Sequence, residues 1–156
     1  MTTWIFRART DCVDVNTYLR DGMVVPWLVA KQAHARQVEI GDRVYIWRVQ
    51  GRKRAPRAGI IANGRITGLP QERPGEQEAL APWVDVKDAD SALRVELEID
   101  RVAAPEEVLT RVVLLVDPML RDLLCFRMAQ ETNWPLKPEH AARLEELWTR
   151  TKQPGP

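Results

Sequence analysis

The sequence is short of the side chains that carry covalent and acid–base chemistry. Its 156 residues hold one serine, Ser91, two histidines, His34 and His140, and two cysteines, Cys12 and Cys125. A Ser-His-Asp triad would have to use Ser91, which has no nucleophile-elbow glycines around it, and a histidine set among polar neighbours. The two cysteines stand too far apart for a metal or redox spacing and read as unpaired buried thiols of a reducing cytoplasm. There is no Walker sequence, glycine-rich dinucleotide turn or His-x-x-x-His pair, so no cofactor and no metal are expected. Long apolar runs are missing too: none approaches the ~20 residues of a membrane helix, and the first residues do not read as a secretory leader. A cytoplasmic monomer away from membranes is the expectation. Carboxylates are plentiful, 22 in all, so a small hydrolase working through carboxylates alone is the one enzymatic class left open.

What is present fits one globular domain. Hydrophobic content of 45% and charged content of 29% are ordinary for a soluble fold, and the length suits one core rather than two. The domain is placed at residues 1–150, with 151–156 as a disordered tail. The net charge of +1 conceals an asymmetry, +7 over residues 1–65 and −6 over 66–156. Much of the basic excess lies at Arg48, Arg52, Lys53, Arg54 and Arg57, around Gly51 and Pro56. Such a cluster suits phosphates, or serves only as a solvated hairpin tip.

Periodicity predicts short strands followed by helices. Trp4–Ala8 reads as a first strand, Asp14–Leu19 as a short helix, and Met23–Val29 as an extended segment that Pro26 keeps out of a central ladder. Lys31–Gln37 suits one or two helical turns. Gly41–Val49 is apolar on both faces and predicts a central strand, with Ala58–Ile66 returning beside it. Residues 68–82, with Gly68, Pro70, Pro74, Gly75 and Pro82, read as a long exposed loop. Trp83–Val86 begins another strand. Leu93, Val95, Leu97 and Ile99 alternate with Arg94, Glu96, Glu98 and Asp100, which predicts a half-buried strand. Helices are expected after Pro105, after Asp117-Pro118 and over Pro138–Trp148, the last with Ala141, Leu144, Leu147 and Trp148 inward and Glu146 four residues before Arg150. The fold class is α+β: a small curved, nearly closed barrel of five or six strands with peripheral helices.

Six tryptophans against two tyrosines and two phenylalanines is the anomaly in the composition. Trp4, Trp83 and Trp148 fall in strand or helix patterns and suit the core. Trp27, Trp47 and Trp134 lie beside loop-like stretches, where indoles from separate segments can sandwich a planar ring such as an extruded base. Packing in the core is the other reading of all six.

Several stretches, in order, resemble the EVE domains of the PUA-like group, related to the YTH readers of methylated adenine. They are Trp4-Ile-Phe-Arg, Trp27-Leu-Val, Ile40-Gly-Asp-Arg-Val-Tyr-Ile-Trp-Arg48, Ala58-Gly-Ile-Ile-Ala, Trp83-Val-Asp-Val86, Asp117-Pro-Met-Leu and Gln130-Glu-Thr-Asn-Trp-Pro-Leu136. The resemblance covers residues 3 to 148. It implies a PUA-like barrel that takes a modified base of DNA or RNA into an aromatic-lined pocket without catalysing a reaction. Trp27 and Trp47 would be pocket walls, joined by Gln130, Thr132, Asn133 and Trp134 and by the strand end at Arg7, Ala8 and Arg9. Arg52, Lys53, Arg54 and Arg57 would hold the phosphate backbone. Glu131 stands where many relatives have glycine and Ala8 where the commonest pattern has serine, which bears on the base preferred. Any downstream effect would need a partner from restriction or RNA-processing machinery. A protein-interaction or scaffold module is the alternative, and the carboxylate hydrolase a second one.

Overall fold

The computed structural model describes residues 1–8, 19–29, 32–49, 58–72, 93–127 and 131–151. The expected helix over 14–19, the strand at Trp83–Val86 and the tail lie outside or almost outside them. The strands are β1 (Thr3–Ala8), β2 (Val24–Leu28), β3 (Arg43–Arg48), β4 (Gly59–Glu72), β5 (Leu93–Val102), β6 (Leu109–Thr110) and β7 (Asn133–Leu136). The helices among the described residues are α1 (Gln32–Gln37), α2 (Arg111–Val116), α3 (Leu124–Arg127) and α4 (Pro138–Thr151), with a 3-10 turn at Pro105–Glu107. All the strands join one 7-stranded sheet of order β2-β5-β4-β3-β1-β7, with β6 on β4.

This is an α+β fold, with two corrections to the expected barrel. Among the described residues the strands number seven, and the ladder stays open between β2 and β7. The strands not foreseen are β6, of 2 residues, and β7, of 4. Neither is long enough to show a period of two. The apolar segment at Gly41–Val49 becomes β3, held between a parallel β1 and an antiparallel β4, which is why both its faces are apolar. Pro26 sits in β2, an edge strand, as its missing N–H requires.

Strand β4 is longer than expected. It runs through Gly68 and Pro70, two residues typical of loops, because its register on β5 shifts between Ile66 and Gly68 and again between Gly68 and Gln71. Those irregularities leave room for a residue without an N–H and bend the strand. At Gly64 a further shift brings the backbone so close to β5 that an added Cβ would lie 2.2 Å from the Glu98 carbonyl oxygen.

The curled sheet has two apolar faces. Its inner face gathers Trp4, Phe6, Ala8, Trp27, Val44, Ile46, Ile61, Val95, Leu97 and Ile99. Its outer face carries Ile5, Tyr45, Trp47, Ile60 and Trp134, covered by Leu114, Leu120, Leu123, Leu144 and Trp148. Each fully buried large side chain contributes roughly 1.5–3 kcal/mol, so the two faces together supply the drive to fold. On β5, Val95, Leu97 and Ile99 turn inward as expected, but Arg94 on the opposite face is fully buried as well.

Polar clasps fix the helices. Asp42 is buried and accepts from the Trp4 indole at 3.1 Å and from the backbone N–H of Thr2 and Glu39. Asp117 does not start the helix expected there. It ends α2 and begins a turn, accepting from the Met119 N–H at 2.9 Å. Its carboxylate is also gripped by Arg143 of α4 through Nε and a terminal nitrogen, both at 2.8 Å. That guanidinium holds the Asp117 carboxyl below the usual carboxylate range. Glu146 pairs with Arg143 at 2.8 Å rather than with Arg150. The Tyr45 hydroxyl donates to Glu145, which also pairs with Arg43 at 2.9 Å. Burial, then the Glu145 contact, raises the phenol above its ordinary range. Arg101 lies 4.0 Å over the Trp148 ring of α4 and donates to the Trp148 carbonyl at 3.0 Å.

Candidate functional site

The open seam between β2 and β1–β7 is where four of the expected site residues, Arg7, Trp27, Thr132 and Asn133, meet. Arg7 is the penultimate residue of β1, and its N–H continues the ladder toward β7 by donating to the Thr132 carbonyl at 2.8 Å. Trp27 reaches across from β2 and donates its indole N–H to the Arg7 carbonyl at 3.3 Å. Asn133, the first residue of β7, reaches back and donates its side-chain amide to the Leu28 carbonyl at 3.0 Å. The Thr132 hydroxyl donates to Asn133 Oδ1 at 2.7 Å. Leu28 follows Trp27 in the chain, so these bonds form a closed circuit through Trp27, Arg7, Thr132, Asn133 and Leu28. Side chains therefore bridge the seam that the sheet ladder leaves open.

Strand alternation decides what else faces this circuit. Ala8 and Trp27 belong to the inner core. Asn133 is the ladder partner of Phe6 and shares its side. Arg48 pairs with Ala8 at the end of β3 and lies on the side of Val44 and Ile46. Arg94 pairs with Leu28 on the neighbouring strand and faces the other way. Two almost wholly buried guanidiniums, Arg48 at 5% and Arg94 at 0% exposure, thus flank the seam. Arg48 is legible in the sequence as the start of the basic run. The alternation of β5 places Arg94 on a solvated face, and only the pairing of β5 with edge strand β2 shows where it lies.

The expected site residues divide accordingly. Arg7, Trp27, Thr132 and Asn133 come together at the seam. Trp47 and Trp134 do not join them. Each lies on the outer face of its strand in the second core, and Trp47 meets Phe126 edge-on at 5.5 Å and 77°. A sandwich of Trp27 with Trp47 is therefore not formed, because adjacent β3 positions alternate: Val44 and Ile46 point inward, and Trp47 between Ile46 and Arg48 points outward. Gln130, Arg9, Arg52, Lys53, Arg54 and Arg57 lie outside the described residues. Glu131 is half-buried beside the circuit. Cys125 is buried in the outer core, and burial pushes its thiol up to about 12, far from the range of a reactive thiolate.

The described residues contain no group of three or more His, Cys, Asp or Glu that could hold a metal. Among them, no helix is long and apolar enough to cross a membrane.

The α+β fold agrees with what the sequence resemblance to the EVE domains implies. No protein-family model and no curated protein sequence matches the chain. Solved structures do. A hypothetical protein from Leishmania major matches with a TM-score of 0.68 at 15% identity over 98% of both chains. Human THYN1 in complex with DNA containing 5-methylcytosine matches with a TM-score of 0.62 at 11% identity, over 99% of this chain and 100% of that one. A protein from Pseudomonas putida matches with a TM-score of 0.64 at 21% identity, over 94% and 99%. These likenesses are in fold, and they extend over the whole domain.

Proposed function

We propose that the chain is a non-enzymatic reader of a modified base in DNA, taking the base at the seam with the Trp27 indole as a stacking wall. The observation that carries this reading is the convergence of Arg7, Trp27, Thr132 and Asn133 on the seam where, among the described residues, the sheet's ladder is open. The structure of human THYN1, which shares the fold along its whole length, holds DNA containing 5-methylcytosine, and this favours DNA over RNA. A base read chemically must leave its stack, and an indole face repays part of that cost, roughly 1–3 kcal/mol per base. Trp27 is 2% exposed, so admission of a base requires the site to open.

Arg48 adds positive charge on the same side, and the basic run of Arg52, Lys53, Arg54 and Arg57 would hold backbone phosphates. The chain itself would cut nothing and unwind nothing, so a consequence for the cell needs a partner such as restriction or RNA-processing machinery. The test is a panel of oligonucleotides of one sequence, as DNA and as RNA, differing by a single modified base. A preference of about tenfold or more for one modified DNA strand, some 1.4 kcal/mol, supports the reading. Equal affinity across the panel removes it, and preference for a modified RNA corrects the nucleic acid.

A further inference from the structure

We infer that Asn133 is a positioning residue for Trp27 and does not read the edge of the base. This rests on the base-reading proposal above for its functional consequence, though not for its geometry. An asparagine beside a base pocket is an obvious candidate for hydrogen bonding to a base edge, because its amide offers both a donor and an acceptor. Here both ends are engaged inside the protein. Nδ2 donates to the Leu28 carbonyl at 3.0 Å, and Oδ1 accepts from the Thr132 hydroxyl at 2.7 Å. The residue is 1% exposed. To turn toward a base it would have to release the Leu28 carbonyl, a half-buried acceptor that would lose its partner.

The carbonyl that Asn133 holds belongs to the residue after Trp27. Trp27 in turn donates to the Arg7 carbonyl at 3.3 Å, and the Arg7 N–H is bound to the Thr132 carbonyl at 2.8 Å. Strand β2 has a ladder partner only in β5 among the described residues, so this circuit sets the distance between β2 and β1–β7. Through that distance it sets where the Trp27 ring stands. Base discrimination then depends on Asn133 indirectly, through the pose of the indole.

The experiment uses the full chain with 15N-labelled tryptophan, the Trp27 indole signal being assigned by its loss in Trp27→Phe. In Asn133→Ala, the Trp27 indole signal should shift and its hydrogen exchange should accelerate about five- to tenfold, as loss of one hydrogen bond of typical net strength allows. The Trp4 indole, tied to Asp42 at 3.1 Å, should stay where it is. The preference for the modified strand should fall with it. Thr132→Val, which removes only the bond to Oδ1, should produce the same changes to a smaller extent, and it decides the matter should Asn133→Ala fail to fold.

Lost discrimination with an unmoved Trp27 indole in either variant would make Asn133 a direct reader and overturn the inference. An unmoved indole with intact discrimination would overturn it as well. If the unaltered protein prefers no modified base, the base-reading proposal fails. The exchange measurement on Trp27 then still decides whether Asn133 holds it.

Discussion

Replacing Trp27 tests the seam from its aromatic side, and the structure dictates how the replacement must be chosen. Trp27→Ala would empty an indole-sized volume in the inner core, where the side chain is 2% exposed. Large-to-small changes of this kind cost about 3–5 kcal/mol. At about 2–4 °C per kcal/mol for a domain of this size, that lowers Tm by about 6–20 °C and confounds any binding result. Trp27→Phe and Trp27→Leu form a better pair. Both lose the 3.3 Å hydrogen bond to the Arg7 carbonyl, worth about 1 kcal/mol or less, and both keep most of the apolar fill. They differ in the aromatic face. If Trp27 stacks on the base, Leu forfeits roughly 1–3 kcal/mol of stacking, which is about 5- to 150-fold in affinity for the modified strand, whereas Phe keeps much of it. Fluorescence anisotropy with matched modified and unmodified strands measures this, alongside thermal melts of each variant. Discrimination by Trp27→Leu equal to that of the unaltered protein would refute the assignment and leave Trp27 as core.

Neutralising Arg52, Lys53 and Arg54 together should weaken binding similarly for modified and unmodified DNA. It should also flatten the log–log salt slope by about 0.9 for each phosphate that is no longer neutralised; an unchanged slope would return this cluster to a role in solubility. Gly64→Ala should lower Tm by several degrees or prevent folding, since its Cβ would fall 2.2 Å from the Glu98 carbonyl oxygen, where the backbone of β5 cannot yield cheaply. A melt indistinguishable from the parent would show that β4 and β5 separate more easily than their pairing suggests. Asp117 is held by Arg143 and its carboxyl titrates below the ordinary value, so its contribution to stability is complete above the unfolded-state pKa of about 4 and is lost as pH falls through the lower folded value. The Tm deficit of Asp117→Asn should therefore be largest near neutrality and shrink toward about pH 3 in a series of melts, and a deficit independent of pH would contradict the clasp.

The strands that sequence can show are those whose burial repeats. In β5, Val95, Leu97 and Ile99 alternate with acidic neighbours, and in β3 a run apolar on both faces marks a central position. Strand β7 is illegible because its four residues include Trp134, buried in the outer core, and Pro135, so no alternation reaches significance. Arg94 misleads for a related reason: the period of two marks its face correctly but not its burial, which the tertiary fold sets. The tryptophans show the same limit. Their number points to something unusual, yet Trp27 stands on the inner face while Trp47 and Trp134 stand on the outer one, and only the register of the sheet separates them. Thr132 and Asn133 stand out through the resemblance alone. The bond from Asn133 to Leu28 spans more than a hundred positions of chain, which no local pattern encodes.

The claim that a modified base is received at the seam is tested most directly by titrating the 15N-labelled chain with a short DNA carrying one 5-methylcytosine and following the amide signals. The largest shifts should fall on Arg7, Ala8, Trp27, Leu28, Thr132 and Asn133, and the unmethylated strand should shift them less. Shifts centred instead on α4, or on the Asp42 clasp around Thr2 and Glu39, with the seam residues unmoved and no difference between the two strands, would contradict it.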